Sequence, residues 1–264
     1  AKASVLYLQS HYREALALEE EREVLSRRLG NVVGLAEALQ GKARINRSIG
    51  ELHLARNFLA EAETLCRRLG YQEGIQSVLT EQAIIARAQG ELDESLRLFR
   101  SAEIISRDIS FPLGLQAALG GQASVLRARG NLDGAMNLFK EQEVICRKLS
   151  NKEGLHISLG GQAVILRDRG KLIQAMKLAR QSERLCREIG FREGLLRVLS
   201  TQAMIMKDHG DLDGAMGLLR EGESIGRELG LKSGLQRILE SLALVLKSRG
   251  DMDGALALFK EQER

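Results

Sequence analysis

The sequence predicts an all-α solenoid of stacked antiparallel helix pairs, and three observations carry that prediction. Glycine recurs every 40 residues, at Gly34, Gly74, Gly114, Gly154, Gly194 and Gly234, and Leu or Ile follows each one (Leu35, Ile75, Leu115, Leu155, Leu195, Leu235). A fixed period of that length is the mark of a repeat array. A second glycine series, Gly50, Gly90, Gly130, Gly170, Gly210 and Gly250, falls 16 residues later in every copy. Composition agrees with helix. Aromatics are 3% of the 264 residues, there is no Trp, and Pro112 is the single proline, which is too little aromatic content for a sandwich or barrel. Ala, Leu, Glu, Arg and Lys, all strong helix formers, dominate instead.

Residues 151–190 show how one copy is built. Leu155, Leu159, Ala163 and Leu166 lie at steps of four, four and three, the helical period. Gly170 then stops this first helix in a way that tolerates a left-handed C-terminal residue. The second helix opens on a polar residue in every copy: Glu51, Glu91, Asn131, Lys171, Asp211 and Asp251. Asn and Asp cap well, and Asp93, Asp133, Asp213 and Asp253 place negative charge where the helix dipole favours it. One copy departs, with Lys171 at the cap and Ile173 in place of the Asp; its second helix is expected to be the least well capped. The stripe Leu172, Ala175, Leu178, Leu185, Cys186 and Ile189 completes it, and Gly190 closes it. A single helix pair cannot bury both apolar faces, so neighbours must stack.

Charge excludes some functions. The net charge of +4 comes from both signs intermixed, without a basic block, and so does not by itself imply nucleic acid. No apolar run reaches the roughly 18–20 residues that span a bilayer, and the N-terminus lacks a signal peptide's apolar core. The expected location is cytoplasmic. The chain opens without Met and starts and stops inside a repeat, which predicts a segment of a longer protein. Cys66, Cys146 and Cys186 share one repeat position with Ser26, Ser106 and Gly226. Without a C-x-x-C pair they are read as packing thiols, and no metal site or cofactor is expected. His11, His53, His156 and His209 stand apart from any H-E-x-x-H or triad-like arrangement and are read as lone surface side chains. No phosphate-binding glycine loop occurs, and no enzyme is expected.

A ladder of Glu–Arg pairs spaced i, i+4 repeats six times: Glu23–Arg27, Glu63–Arg67, Glu103–Arg107, Glu143–Arg147, Glu183–Arg187 and Glu223–Arg227. Exposed pairs of this kind contribute about 0.2–0.5 kcal/mol each, too little to require the same residues six times. The Glu is therefore expected to contact the adjacent helix pair as well, at its backbone.

These residues resemble the tetratricopeptide repeat (TPR). Its small first-helix residue matches Ala83, Ala123, Ala163, Ala203 and Ala243, and its turn glycine matches the Gly50 series. Its second-helix alanine matches Ala15, Ala55, Ala135, Ala175, Ala215 and Ala255, with Ser95 as the one substitute. The bulky residue one turn later matches Leu59, Phe99, Phe139, Leu219 and Phe259, and is only Ala179 in the departing copy. The likeness covers residues 1–264 as one array of six full copies plus partial ends. Its 40-residue period exceeds the usual 34 and resembles the long-helix subset of Pins-type scaffolds and bacterial multidomain signalling proteins.

What the resemblance implies is a right-handed superhelix whose first helices line a concave groove for a peptide or partner helix. On that mapping a basic row, Arg47, Arg87, Arg127, Arg167, Lys207 and Lys247, stands above a floor of small residues, Gly120, Gly121, Gly160, Gly161, Ser200 and Thr201. Such a groove suits an acidic ligand. The plainer reading of the same six cations, as solvated charges at helix C-termini, stays open. The expected function is a non-catalytic protein-interaction scaffold. The alternatives are a regulatory or sensor arm of a larger signalling protein, attached to a nucleotide-switch or protease-like domain, and a nucleic-acid-binding solenoid, which the scarcity of aromatics for base stacking opposes. The uncapped terminal copies predict end-to-end contacts between chains and self-association at high concentration.

Overall fold

The computed structural model describes residues 2–262. The side chain of Phe259 and the chain end at Arg264, both used above, lie outside the described residues. Those residues form fourteen α-helices and no strand: α1 (Lys2–Leu8), α2 (Tyr12–Leu29), α3 (Val32–Ser48), α4 (Leu52–Leu69), α5 (Gln72–Ala88), α6 (Leu92–Asp108), α7 (Pro112–Ala128), α8 (Leu132–Lys148), α9 (Lys152–Asp168), α10 (Leu172–Ile189), α11 (Arg192–His209), α12 (Leu212–Glu228), α13 (Lys232–Arg249) and α14 (Met252–Gln262). Odd-numbered helices are the first helices of each copy and even-numbered ones the second. None is long and apolar enough to cross a membrane.

Contacts gather into two compact units, residues 1–154 and 155–264, with the border inside α9. In the first unit helices from α1 to α8 each pack on the next, and first helices also pack on one another, α3 on α5 and α5 on α7. In the second unit α10 to α14 follow the same rule, with α11 on α13. This TPR-like helical repeat agrees with the sequence prediction. The alanines that matched the TPR pattern are its closest contact points: Ala83, Ala123, Ala55 and Ala135 are all fully buried. The bulky residues that followed them, Leu59, Phe99, Phe139 and Leu219, are sealed beside them.

The 40-residue glycine has a packing cause. A Cβ on Gly74 would come within 2.6 Å of the Cys66 sulfur, one on Gly154 within 2.5 Å of Cys146, and one on Gly194 within 3.0 Å of Cys186. Each thiol at the end of a second helix thus lies against the glycine that opens the next first helix. The two repeat positions form a single feature, which explains why the thiol position stays small. Burial pushes the Cys146 and Cys186 thiols up to about 12, and raises Cys66 as well, so none is poised as a nucleophile.

Caps are less uniform than the sequence suggested. Asn31, Asn131, Asp211 and Asp251 each accept a hydrogen bond from the backbone N–H three residues on, at 2.8–3.0 Å. Lys171 makes no such bond, but neither do Glu51 and Glu91. The departing copy is therefore not alone in lacking a cap, because the longer Glu side chain does not fold back where Asp does. The turns behind second helices use Gly30, Gly70, Gly190 and Gly230 at positive φ, whereas Ser110 and Ser150 hold the same left-handed turn at φ 53°. That conformation costs a residue with a Cβ roughly 1 kcal/mol.

Candidate functional site

Side-by-side packing of first helices gives each unit a common face made by those helices. On α7 the half-open or exposed positions include Ala117, Gly121, Ser124 and Ala128, at steps of four, three and four. On α5 the corresponding face carries Ser77, Glu81, Ile84 and Ala88, and on α11 it carries Arg197, Thr201, Met204 and Asp208. The face is mostly small or aliphatic, and its charges are concentrated at particular helices.

The basic row borders this face, in unequal states of neutralisation. Arg47 pairs with Glu81 of the next first helix at 3.2 Å. In the second unit Arg167 meets Asp168 at 2.8 Å and Asp208 at 3.5 Å, and Lys207 meets Asp208 at 3.0 Å. Arg87 and Arg127 have interactions of their own, the first exposed and the second half-buried, and Lys247 is exposed. The six cations do not form one uniform stripe, because acids on the same or the next first helix already occupy several of them.

The small residues mostly serve contacts between helices. Gly120 is buried with its α-carbon against the Gln142 amide, and a Cβ on Gly121 would lie 2.1 Å from the Phe99 ring. Gly160 faces the Ser182 hydroxyl, 3.5 Å from where a Cβ would sit, and Gly161 is half-buried. Ser200 is buried and shares a 2.7 Å hydrogen bond with Ser241, while the Thr201 hydroxyl donates to the Arg197 carbonyl at 3.0 Å. Of these six, Gly121, Gly161 and Thr201 border the open face. Gly120 and Ser200 are turned into the helix contacts.

The second unit holds two cations that the sequence reading passed over. Arg197 and Arg237 occupy one repeat position on α11 and α13, where the other copies have Glu37, Ser77, Ala117 and Ile157. Arg237 is solvent-exposed. Protein nevertheless crowds it closely enough that desolvation, and then the Arg197 cation, push its pKa below the ordinary guanidinium value. Glu193, 3.8 Å from Arg197, and Glu240 offset this only in part, which leaves a cationic edge suited to a carboxylate. Their shared register, one period apart, was the signal in the sequence.

The Glu–Arg ladder does reach the adjacent copy, through side chains instead of backbone. Glu63 accepts a hydrogen bond from the Gln82 amide at 2.8 Å, Glu103 from Gln122 at 2.5 Å and Glu183 from Gln202 at 2.7 Å; Lys42 fills this role for Glu23 at 2.8 Å. The arginines extend the chain outward. Arg27, Arg107 and Arg187 bridge their own Glu to Glu61, Glu141 and Glu221 on the next second helix, at 2.7, 3.0 and 2.6 Å. At Glu183 burial raises the pKa, but the bonds from Gln202 and Arg187 outweigh it and the net shift is downward. The ladder is a clamp between copies, and its partners explain its recurrence.

One histidine differs from the surface reading. His156 is buried, 1% exposed, at the position of Gln76 and Gln116. Its Nδ1 lies 3.1 Å from the Ser182 hydroxyl, which itself donates to the His156 carbonyl at 2.9 Å; Phe191 packs edge-on at 5.4 Å, and Nε2 has no partner. Desolvation, with a smaller effect from Arg197, holds its pKa at about 3. It is a neutral packing residue. Among the described residues no cluster of His, Cys, Asp or Glu could hold a metal ion.

No family model matches the sequence, and no curated protein matches it. Solved structures do. The chain is similar to a Rap protein complexed with competence and sporulation factor, with TM-score 0.81 and 13% identity over 99% of this chain and 72% of that one. It is also similar to the Rap conjugation gene regulator of plasmid pLS20 in complex with the Phr* peptide, with TM-score 0.79 and 14% identity over 99% and 73%. The TPR-like repeats of a putative kinesin light chain from Podosopora anserina match with TM-score 0.54 and 18% identity over 73% and 94%. At these identities the likeness establishes a shared fold.

Proposed function

We propose that this chain is a non-catalytic peptide-binding scaffold, one array of 40-residue TPR-like copies through residues 1–264, whose first-helix face holds an acidic peptide. The observation that carries the reading is the face itself. First helices pack directly on one another, α3 on α5, α5 on α7 and α11 on α13. They offer a small and aliphatic surface edged by Arg87 and Arg127 in the first unit and by Arg197 and Arg237 in the second. The Rap regulator that resembles this chain over nearly its full length was solved with a peptide bound, which supports the same class of ligand here. Carboxylates of the peptide meet guanidinium groups through charge-assisted, bidentate hydrogen bonds, and its side chains lie over Ile84 and Ser124 or over Met204. A cytoplasmic setting and end-to-end association through the terminal copies belong to the same proposal; light scattering across a concentration series tests the association.

Selection of a random peptide library on the immobilised chain tests the function. Enrichment of peptides rich in Asp and Glu is expected. Arg87→Glu with Arg127→Glu, or Arg197→Glu with Arg237→Glu, should weaken the selected peptide at least about tenfold while the helical circular dichroism stays unchanged. A selection without acidic enrichment, or a peptide indifferent to both double variants, contradicts the proposal.

A further inference from the structure

The second unit carries a pocket of about 610 Å³ between α10, the end of α11 and the start of α12, and it shares no lining residue with the first-helix face. Met176, Ile205 and Met206 line it, and Ile173 stands at it with 87% of its surface in water. The pocket exists because the seam between copies is left open here. At the equivalent seam of the first unit Arg129 is paired with Asp93, and at the last seam of the second unit Arg249 holds Asp213 at 2.9 Å. At this seam the same two positions are His209 and Ile173, which cannot pair. Behind them, the bulky residue of the other second helices is reduced to Ala179.

We propose that this seam is a second binding site that receives an amphipathic helix of about three turns, with aliphatic residues inward and acidic residues along one edge. Charge selects the occupant. Lys177, Arg180 and Arg184 line the pocket at steps of three and four along α10; among the described residues none has an acid within 4 Å, although Arg180 also acts at longer range on Glu183. The single acid at the pocket, Asp211, already accepts the Gly214 backbone N–H at 2.8 Å. Three cations in helical register beside an apolar lining are the complement of a helix with acids at the same spacing. The lining on α10 runs from Leu172 to Arg184, about 18 Å of helix at the usual rise. Two methionine side chains adapt readily to the aliphatic residues of an incoming helix. The departures of one copy from the repeat pattern, Ile173, Ala179 and His209, thus converge on one place.

A fluorescein-labelled peptide of about fourteen residues, leucine and glutamate in helical order, is the probe, read by fluorescence anisotropy. The full chain should bind it, and the same peptide with lysine for glutamate should not bind. Lys177→Glu with Arg184→Glu should weaken binding at least about tenfold. Ile173→Asp with His209→Arg, which installs the pair found at the other seams, should do the same without altering the fold; Arg184→Gln gives a smaller loss if the double reversal fails to fold. The measurements are made with Arg87→Glu, Arg127→Glu, Arg197→Glu and Arg237→Glu in place, so that the first-helix face cannot hold the acidic probe and the affinity read is that of the seam. Absence of binding, equal binding of the lysine peptide, or an affinity indifferent to the pocket variants overturns the inference and leaves the first-helix proposal standing.

Discussion

The groove between α4 and α6 in the first unit and that between α10 and α12 in the second are built at the same repeat positions, yet they end in opposite states. In the first, Arg56 bonds Gln89 and lies 3.7 Å from Glu91, Arg97 pairs with Glu94 at 2.5 Å, and Arg67 pairs with Glu63 at 2.7 Å. Each cation lining it has its own acid or amide. In the second, the Arg56 position is Met176, the Glu94 position is Gln174 and the Gln89 position is His209. The same backbone therefore yields a self-satisfied seam in one unit and an apolar, cationic pocket in the other. A repeat array keeps its frame through positions that contact the next copy, and the remaining positions are free to specialise.

If the frame is common to both units, breaking it should hurt both alike, and this is the largest expected effect. Gly74→Ala and Gly194→Ala each force a methyl against a buried thiol and an aromatic ring. Each should destabilise by about 1–3 kcal/mol in denaturant unfolding. A neutral result at either site would mean that the glycine–cysteine contact does not set the period.

The second effect belongs to the second unit alone. His156 is neutral when folded, with a pKa of about 3, whereas the unfolded residue titrates near 6.5. The unfolded chain binds the extra proton between these values, so the stability is fully present above about pH 6.5 and is lost progressively as pH falls toward 3. At pH 5 the loss is about 2 kcal/mol. His156→Gln, the residue of the equivalent positions at Gln76 and Gln116, should remove most of that dependence. Unfolding curves at pH 7 and pH 5 that differ equally in both proteins would contradict it.

Smaller still is the clamp. Glu63→Gln and Glu183→Gln should each cost about 1 kcal/mol. Glu223→Gln should cost less, because the residue at the donor position is Leu242 and, among the described residues, Arg227 at 2.8 Å is its one ion-pair partner. Equal losses at all three sites would remove the inter-copy role. The smallest expected change is at the open seam. Ile173→Asp alone should alter stability by less than about 0.5 kcal/mol, because the isoleucine is so exposed. A large loss would make Ile173 a core residue and close the pocket argument.

The helix pairs were legible because their signals are local. A glycine at a left-handed turn and an apolar residue every three or four positions can be read from neighbours in the chain. The partners of the clamp were not legible. Gln82, Gln122 and Gln202 lie 19 residues from their glutamates, and periodicity says which positions recur without saying which recurrences touch. The same limit misdirected the small residues. Gly120 stands at the right phase for an open face, but Gln142 comes up against it from a second helix, and Gly121, half-buried at that face, has the Phe99 ring behind it. Burial of His156 was hidden because a histidine and a glutamine at one repeat position look equally polar in sequence. Arg197 and Arg237 are a pair one period apart, but the other copies carry Glu37, Ser77, Ala117 and Ile157 at that position, so periodicity does not single it out.

The most direct test of the scaffold account is amide hydrogen exchange on the full chain with and without the selected acidic peptide. The account predicts added protection in first helices, in α5 and α7 or in α11 and α13, with the second helices α4, α6 and α10 unchanged. Protection confined to second helices, or no change at saturating peptide, would contradict it.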